Sequence, residues 1–225
     1  MLDVLGQVLA PSVAVALSPF PLIAVVPVLV SPGGRMRGVV FLGGWLAGLV
    51  LLSAIAVIVI GVLQSNVEGD STSLLPAWIE LLAGLALVTF GVRKWRGHVT
   101  RGAHAAPPAW MERLSTSGTL KTAVIAFLLA AANPKIIVFA VGAMSAVAIL
   151  EPTAAENSFA VAAFAVIGSI GTAVPVGIAI GMRDRSEQLL GALGHWLSSN
   201  DGAIMGTLLL VIGAGLVGDA LTAIG

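Results

Sequence analysis

The sequence predicts an all-α integral membrane protein: six transmembrane helices forming two inverted three-helix repeats, with helices 1 and 4 broken near the midplane. Three observations predict it. Hydrophobic residues make up 58% of the 225 and charged residues only 10%, against about a quarter charged in a soluble domain. Such a chain cannot cover a water-facing surface. The apolar residues gather in six stretches, at 8–30, 39–63, 76–95, 122–150, 158–182 and 203–224, each near the ~20 residues that a spanning helix needs. Finally, the first stretch of each half is interrupted midway by proline beside a polar residue: Ser18-Pro19-Phe20-Pro21 in one, Asn133-Pro134-Lys135 in the other.

Composition narrows the chemistry further. Mean hydropathy is +1.04, and the spans leave only short loops, with no room for a sizeable extramembrane domain. There are no cysteines, which excludes disulfides, thiolate metal sites and cysteine nucleophiles. Tyrosine is absent too, so tryptophan is the main interfacial aromatic. The chain opens Met1-Leu2-Asp3 with no basic segment; the first stretch therefore reads as a retained helix and not a cleaved signal. Nothing between the spans alternates like a strand, and in lipid a backbone must satisfy itself, so the spans are helices.

Orientation follows from the basic residues. Arg35 and Arg37 lie in the first loop, Arg93, Lys94, Arg96, Arg101, Arg113 and Lys121 in or beside the third, Arg183 and Arg185 in the fifth. The alternate loops carry acids only, Glu68 and Asp70 in the second, Glu151 and Glu156 in the fourth. Loops 1, 3 and 5 therefore face the cytoplasm, placing a multi-pass protein in the cytoplasmic membrane with both termini outside. Trp78 and Trp95 mark an outer and an inner boundary. The segment 186–199 sets Leu189, Leu190, Leu193, Trp196 and Leu197 on one helical face, as an amphipathic helix on the inner surface or an ordinary connector with an apolar side. The loop 97–119 reads as a linker with a short helix around 110–114.

Three spans per half is an odd number, so a repeated half must return upside down. The expected parts are a first repeat at 1–95, a cytoplasmic linker at 96–121 and a second repeat at 122–225. Gly84 and Gly91 in span 3 match Gly206 and Gly213 in span 6 in spacing and apolar context. Spans 2 and 5 are both glycine-rich, and Gly43, Gly44 and Gly48 read as close helix packing, as do the span 3 and span 6 pairs. Gly33-Gly34 after Pro32 reads as a turn.

Proline lacks the N–H that a helix needs and clashes with the preceding turn. Broken backbone is tolerated at membrane depth only against protein or a wet cavity. Paired breaks in inverted halves thus point to a central site. The alternative is two simple kinks. Lys135 is the one basic residue away from the cytoplasmic loops, deep in span 4, where a charge costs about 2.5–3.5 kcal/mol. It needs a partner: carbonyls released near Pro19 and Pro21, or an anionic group on a substrate. The competing reading is a lysine that locks the two broken helices together. Glu80 and Asp219 are the membrane-embedded acids open to a coupling or gating role, although interface residues are the commoner case. The histidines all fall in cytoplasmic segments. No phosphate loop, metal-ligand spacing or catalytic triad is present, so neither an enzyme nor a cofactor is expected, and nothing points to nucleic acid.

These residues carry a resemblance. The Pro-x-Pro of span 1 with Asn133-Pro134-Lys135 resembles the paired signature of the lysine-exporter superfamily of small efflux proteins. Three stretches, SPFPLIAVVPVLVSPGGRMRGVVFLGGWLAGL (18–49), AANPKIIVFAVGAMSAVA (131–148) and HWLSSNDGAIMGTLLLVIGAGLVGDAL (195–221), are similar to the actinobacterial GAP family, the glycopeptidolipid- and sulfolipid-addressing proteins. The turn at 31–37 is less basic than that family's Arg-rich turn. The resemblance implies a membrane protein that helps carry envelope glycolipids out of the cytoplasm, with Ser18, Pro19, Pro21, Asn133, Pro134 and Lys135 lining the site. The leading expectation is a transporter or flippase-like exporter of an amphipathic, anionic lipid or lipid precursor. The alternatives are a small-solute exporter of the amino-acid or cation type, or a non-transporting scaffold. The partners expected are a membrane lipid or glycolipid, a larger lipid export pump or lipid-synthesis enzymes, and a second copy in a homodimer, since six short helices leave little depth for a pathway.

Overall fold

Three helix breaks organise the chain. The computed structural model describes residues 1–67, 75–101 and 117–182, with helical positions scattered from 189 to 222. Every described element is an α-helix: α1 (Leu2–Ala16), α2 (Pro19–Leu29), α3 (Gly34–Val67), α4 (Leu75–Arg101), α5 (Thr119–Ala131), α6 (Pro134–Ala148), α7 (Ala154–Gly168) and α8 (Ile170–Gly181). An apolar helical stretch, Leu209–Thr222, follows near the C-terminus. Among the described residues one helix, α3, is long and apolar enough to cross a membrane unaided. Three pairs qualify only as bent spans: α1 with Pro21–Leu29 (52°), α5 with α6 (58°) and α7 with α8 (51°). By length and composition this gives up to four spans and an all-helical, membrane-associated protein.

The first two breaks have one cause. A residue before proline is pushed out of the helical region, and Ser18 (φ −62, ψ 122) and Asn133 (φ −78, ψ 115) are both extended. Pro19 has no N–H for the Val15 carbonyl, and Ser18 N takes that carbonyl instead at 3.1 Å. Both new helices start with proline in the first turn, where the missing N–H costs least.

The third break, at Ser169, lies within the stretch 158–182, which reads as unbroken in the sequence. Its signal is the pair Gly168-Ser169, a recognised kink site. Ser169 Oγ donates to the Ala165 carbonyl at 2.7 Å, which its own N–H also uses at 3.1 Å. This back-bonding loosens the turn. Pro175, inside α8, then withholds a donor from the Gly171 carbonyl.

The helices form two compact units. The first comprises Met1–Val62 and Ala106–Leu197. In it α1 packs along α6 and α7, and α2 along α8. Its core holds Phe41, Trp45, Leu49, Ile136, Met144 and Phe164, all fully buried. Glycines let α3 approach its neighbours. A Cβ at Gly44 would meet the Ala123 carbonyl, and one at Gly48 would lie 2.6 Å from the Phe127 carbonyl oxygen. Gly171 stands against the Ala16 carbonyl in the same way. A Cβ at Gly43 would meet nothing within 4 Å, so packing at this turn falls on Gly44.

The second unit comprises Leu63–Ala105 and Ser198–Gly225. Here α4 meets the C-terminal helical residues at two glycine crossings. A Cβ at Gly84 would lie 2.9 Å from the Gly213 carbonyl oxygen, and one at Gly91 would lie 3.1 Å from that of Gly206.

The connections are fastened by side chains. Gly33 takes φ +71 in the turn after α2. Arg37 donates to the Pro32 carbonyl at 2.6 Å, to Ser31 Oγ, and to the Ser117 carbonyl at 3.0 Å, tying this turn to the start of α5. Thr153 and Glu156 form a capping box at α7. The Thr153 N–H and hydroxyl, with the N-terminal ammonium at 3.3 Å, donate to the Glu156 carboxylate. The linker helix around 110–114 and most of the segment 186–199 lie outside the described residues; Leu189 and Trp196 are helical and exposed.

Gly171→Ala is expected to cost about 1–3 kcal/mol of stability through overpacking, while Gly43→Ala stays within about 0.5 kcal/mol. Thermal unfolding in detergent reads both.

Candidate substrate site

Each break leaves a helix N-terminus inside an apolar bundle, and the side chains around it decide what that end can hold. Asn133 caps α6 with its own amide: Oδ1 accepts from Lys135 N at 3.1 Å. The Lys135 side chain leaves from the same turn. Its Nζ donates to Ser18 Oγ at 3.2 Å and stands 5.6 Å from the centroid of the Phe139 ring, a cation–π distance. Ser18 is 2% exposed, Phe139 is also buried, and Lys135 is half-buried. One hydrogen bond therefore joins the break in α1–α2 to the break in α5–α6, across 117 positions of sequence.

The other expected residues are distributed as follows. Pro21 is buried and Pro134 exposed. The Pro19 side chain lies outside the described residues, although its backbone opens α2. Glu80 is in α4 with its side chain outside the described residues, and Asp219 is outside them altogether. The structure thus brings Ser18, Asn133 and Lys135 together. The described acids of the same unit, Asp3, Glu151 and Glu156, belong to the ends of α1 and α7 remote from the breaks. Among the described residues no group of acids and histidines is placed to hold a metal ion.

Two buried polar side chains of the same unit were not singled out from the sequence. Because Gly171 abuts the Ala16 carbonyl, the first turn of α8 adjoins the end of α1, next to Ser18. Thr172 in that turn is fully buried, as is Trp45 on α3, and neither Thr172 Oγ1 nor Trp45 Nε1 has a hydrogen-bond partner. The signals existed: Trp45 is a tryptophan within a span and not at its boundary, and Thr172 follows the Gly168-Ser169 kink.

Chemically the arrangement is rich in donors. The ammonium offers three N–H groups and the Ser18 hydroxyl accepts one. Such an arrangement can donate hydrogen bonds to an anionic or acceptor-rich group. A family model described as Sap, sulfolipid-1-addressing protein, matches residues 8–222. No curated protein and no solved structure matches the chain.

Asn133→Ala is expected to cost about 1 kcal/mol by loss of the cap, with Asn133→Ser recovering most of it. Unfolding midpoints of the two variants measure the difference.

Proposed function

The chain belongs to the sulfolipid-1-addressing protein family, and from that premise we propose a membrane transporter or flippase-like exporter. It aids translocation of an amphipathic, anionic envelope glycolipid or lipid precursor, acting as a carrier and not as an enzyme. The observation that carries this reading is the hydrogen bond from Lys135 to Ser18. It sets a basic group between two proline-broken helices, where its ammonium can donate to an anionic headgroup. Asn133 holds the lysine-bearing turn, and Ser18, Pro19, Pro21 and Pro134 shape the gap.

Inverted three-helix halves are part of the proposal, and the glycine crossings support them. When Gly84 is matched to Gly206 and Gly91 to Gly213, the Gly84–Gly213 contact becomes Gly206–Gly91, which is the other contact observed. Likewise Gly48 meets the last turn of α5 as Gly171 meets the last residue of α1. In each case a glycine of the second or fifth stretch receives the helix end that precedes a proline break. The charge split argues for a cytoplasmic membrane location with both termini outside.

A lipid fits better than a small solute because the same unit carries an apolar groove. Val50, Ala54, Val57 and Ile58 of α3 and Val161 and Ala162 of α7 line a groove of about 400 Å³, together with Asn157 and Ser158. Such a groove suits an acyl chain. Glu80 and Asp219 remain proposed for coupling or gating. A lipid export pump or a synthesis enzyme would be the partner under the scaffold alternative.

The test is Lys135→Met at matched protein level, with lipidomic comparison of inner and outer envelope fractions. Transfer of the anionic glycolipid should fall about tenfold or more, the scale of one lost charge-assisted hydrogen bond. Undiminished export would remove the central-site mechanism and favour the scaffold.

A further inference from the structure

We infer that one buried water molecule bridges Trp45 Nε1 and Thr172 Oγ1, fastening the hinge of the bent pair α7–α8 to α3. Such a site is independent of what the protein carries, and the exporter reading stands or falls without it.

Buried polar side chains are nearly always hydrogen-bonded, and each exception needs a reason. Thr172 is such an exception, made sharper by its neighbours. In the same unit Ser12, Ser53, Thr122 and Ser169 are also buried, and each hydroxyl donates to the carbonyl four residues earlier. For Thr172 that carbonyl belongs to Gly168, across the break at Ser169. The Thr172 N–H itself turns to the Ser169 carbonyl at 3.0 Å, three residues back, so the turn no longer has straight-helix geometry. The Thr172 hydroxyl is left without a partner, and so is Trp45 Nε1, at 0% exposure. An indole N–H only donates, so it requires an acceptor.

Helix register sets the two atoms opposite one another. A Cβ at Gly168 would lie 3.3 Å from Leu49 Cδ1, and one at Gly38 would lie 3.6 Å from Val176 Cγ2. These two contacts run α3 antiparallel to the bent pair. Residues four or seven apart share a helix face. Trp45 is four before Leu49 and seven after Gly38, so it lies on the face of α3 that makes both contacts. Thr172 is four after Gly168 and four before Val176, on the matching face of the bent pair. Phe41, Trp45 and Leu49, at the same spacing, are all at 0% exposure, which fits one continuous contact face. The orphaned donor of α3 therefore meets the orphaned hydroxyl of the hinge.

The surroundings select the guest. Residues 38–62 of α3 and 170–181 of α8 carry no charged side chain, so the two facing stretches offer nothing to offset the desolvation of an ion. The guest is neutral, small enough for a fully buried position, and able to accept from the indole while bonding a hydroxyl. Water meets all three conditions, and a buried water typically makes about three hydrogen bonds to groups otherwise unsatisfied. The hinge turn supplies a further acceptor, because Pro175 has no N–H for the Gly171 carbonyl. Asn133 caps the α5–α6 break and Lys135 reaches the α1–α2 break. At the third break, a water does the corresponding work.

The experiment is infrared difference spectroscopy of the full-length protein in hydrated lipid films, with melting temperatures read in detergent. Wild type minus Trp45→Phe isolates the Trp45 indole N–H band. It should lie below the frequency of a free indole N–H, and it should return to the free position in Thr172→Val. Thr172→Ser keeps the hydroxyl and should leave the band lowered. Wild type minus Thr172→Val should also contain a water O–H band that shifts when the film is exchanged into H2 18O. Thr172→Val should melt about 2 °C or more below wild type, because removing one member of a bridged pair strands the other. A free indole band in wild type overturns the inference, as does a lowered band that Thr172→Val leaves in place. The absence of any 18O-sensitive water band overturns it too. So does an unchanged or raised melting temperature in Thr172→Val, the result expected when an apolar group replaces a hydroxyl that has no partner. Should Thr172→Val not fold, the wild-type band position and its sensitivity to 18O exchange against Trp45→Phe decide the matter.

Discussion

A proline inside an apolar helix removes an N–H in surroundings that offer no water to replace it, and the rest of the structure answers that constraint. At Pro19 and at Pro134 the preceding residue is driven into extended geometry, the chain bends by more than 50°, and a new helix starts with its amide end inside the bundle. A bare helix start of this kind attracts negative charge. In α6 the first turn is satisfied by Asn133, while the turn's own lysine reaches across to the other break. The Lys135–Ser18 hydrogen bond is thus where two local backbone defects become one polar site.

Close packing makes this possible. Helices approach in a membrane through small residues, because lipid offers no hydrophobic incentive to associate. Gly44 and Gly48 bring α3 against α5, and Gly171 brings α8 against the end of α1. A side chain at Gly171 would push α8 from α1 and open the level at which Ser18, Thr172 and Lys135 stand. Glycine placement and site geometry are in this sense a single requirement.

Much of this was legible in the sequence. The two proline breaks could be located to the residue, since the effect of proline on its predecessor is local and strong. Lys135 could be singled out because an isolated cation is costly in lipid. The Gly84/Gly91 and Gly206/Gly213 spacing is matched by two reciprocal crossings in the second unit. The break at Ser169 was not legible to the same degree, because a Gly-Ser pair is tolerated in many straight helices and bends this one only through back-bonding and tight contact with Ala16. Trp45 and Thr172 escaped for a related reason: an unsatisfied polar atom is a property of packing, invisible until its neighbours are known. Gly43 shows the converse limit, since its sequence neighbour Gly44 makes the contact while it faces open space.

The central claim is that Lys135 and Ser18 act on one another across the two breaks. A double-mutant cycle with Ser18→Ala, Lys135→Met and the combined variant, read as unfolding free energy in detergent, tests it most directly. The account predicts a coupling of about 0.5–3 kcal/mol, with the combined variant less damaged than the sum of the single changes. Additivity within about 0.5 kcal/mol would mean that the two residues do not interact, and would contradict it.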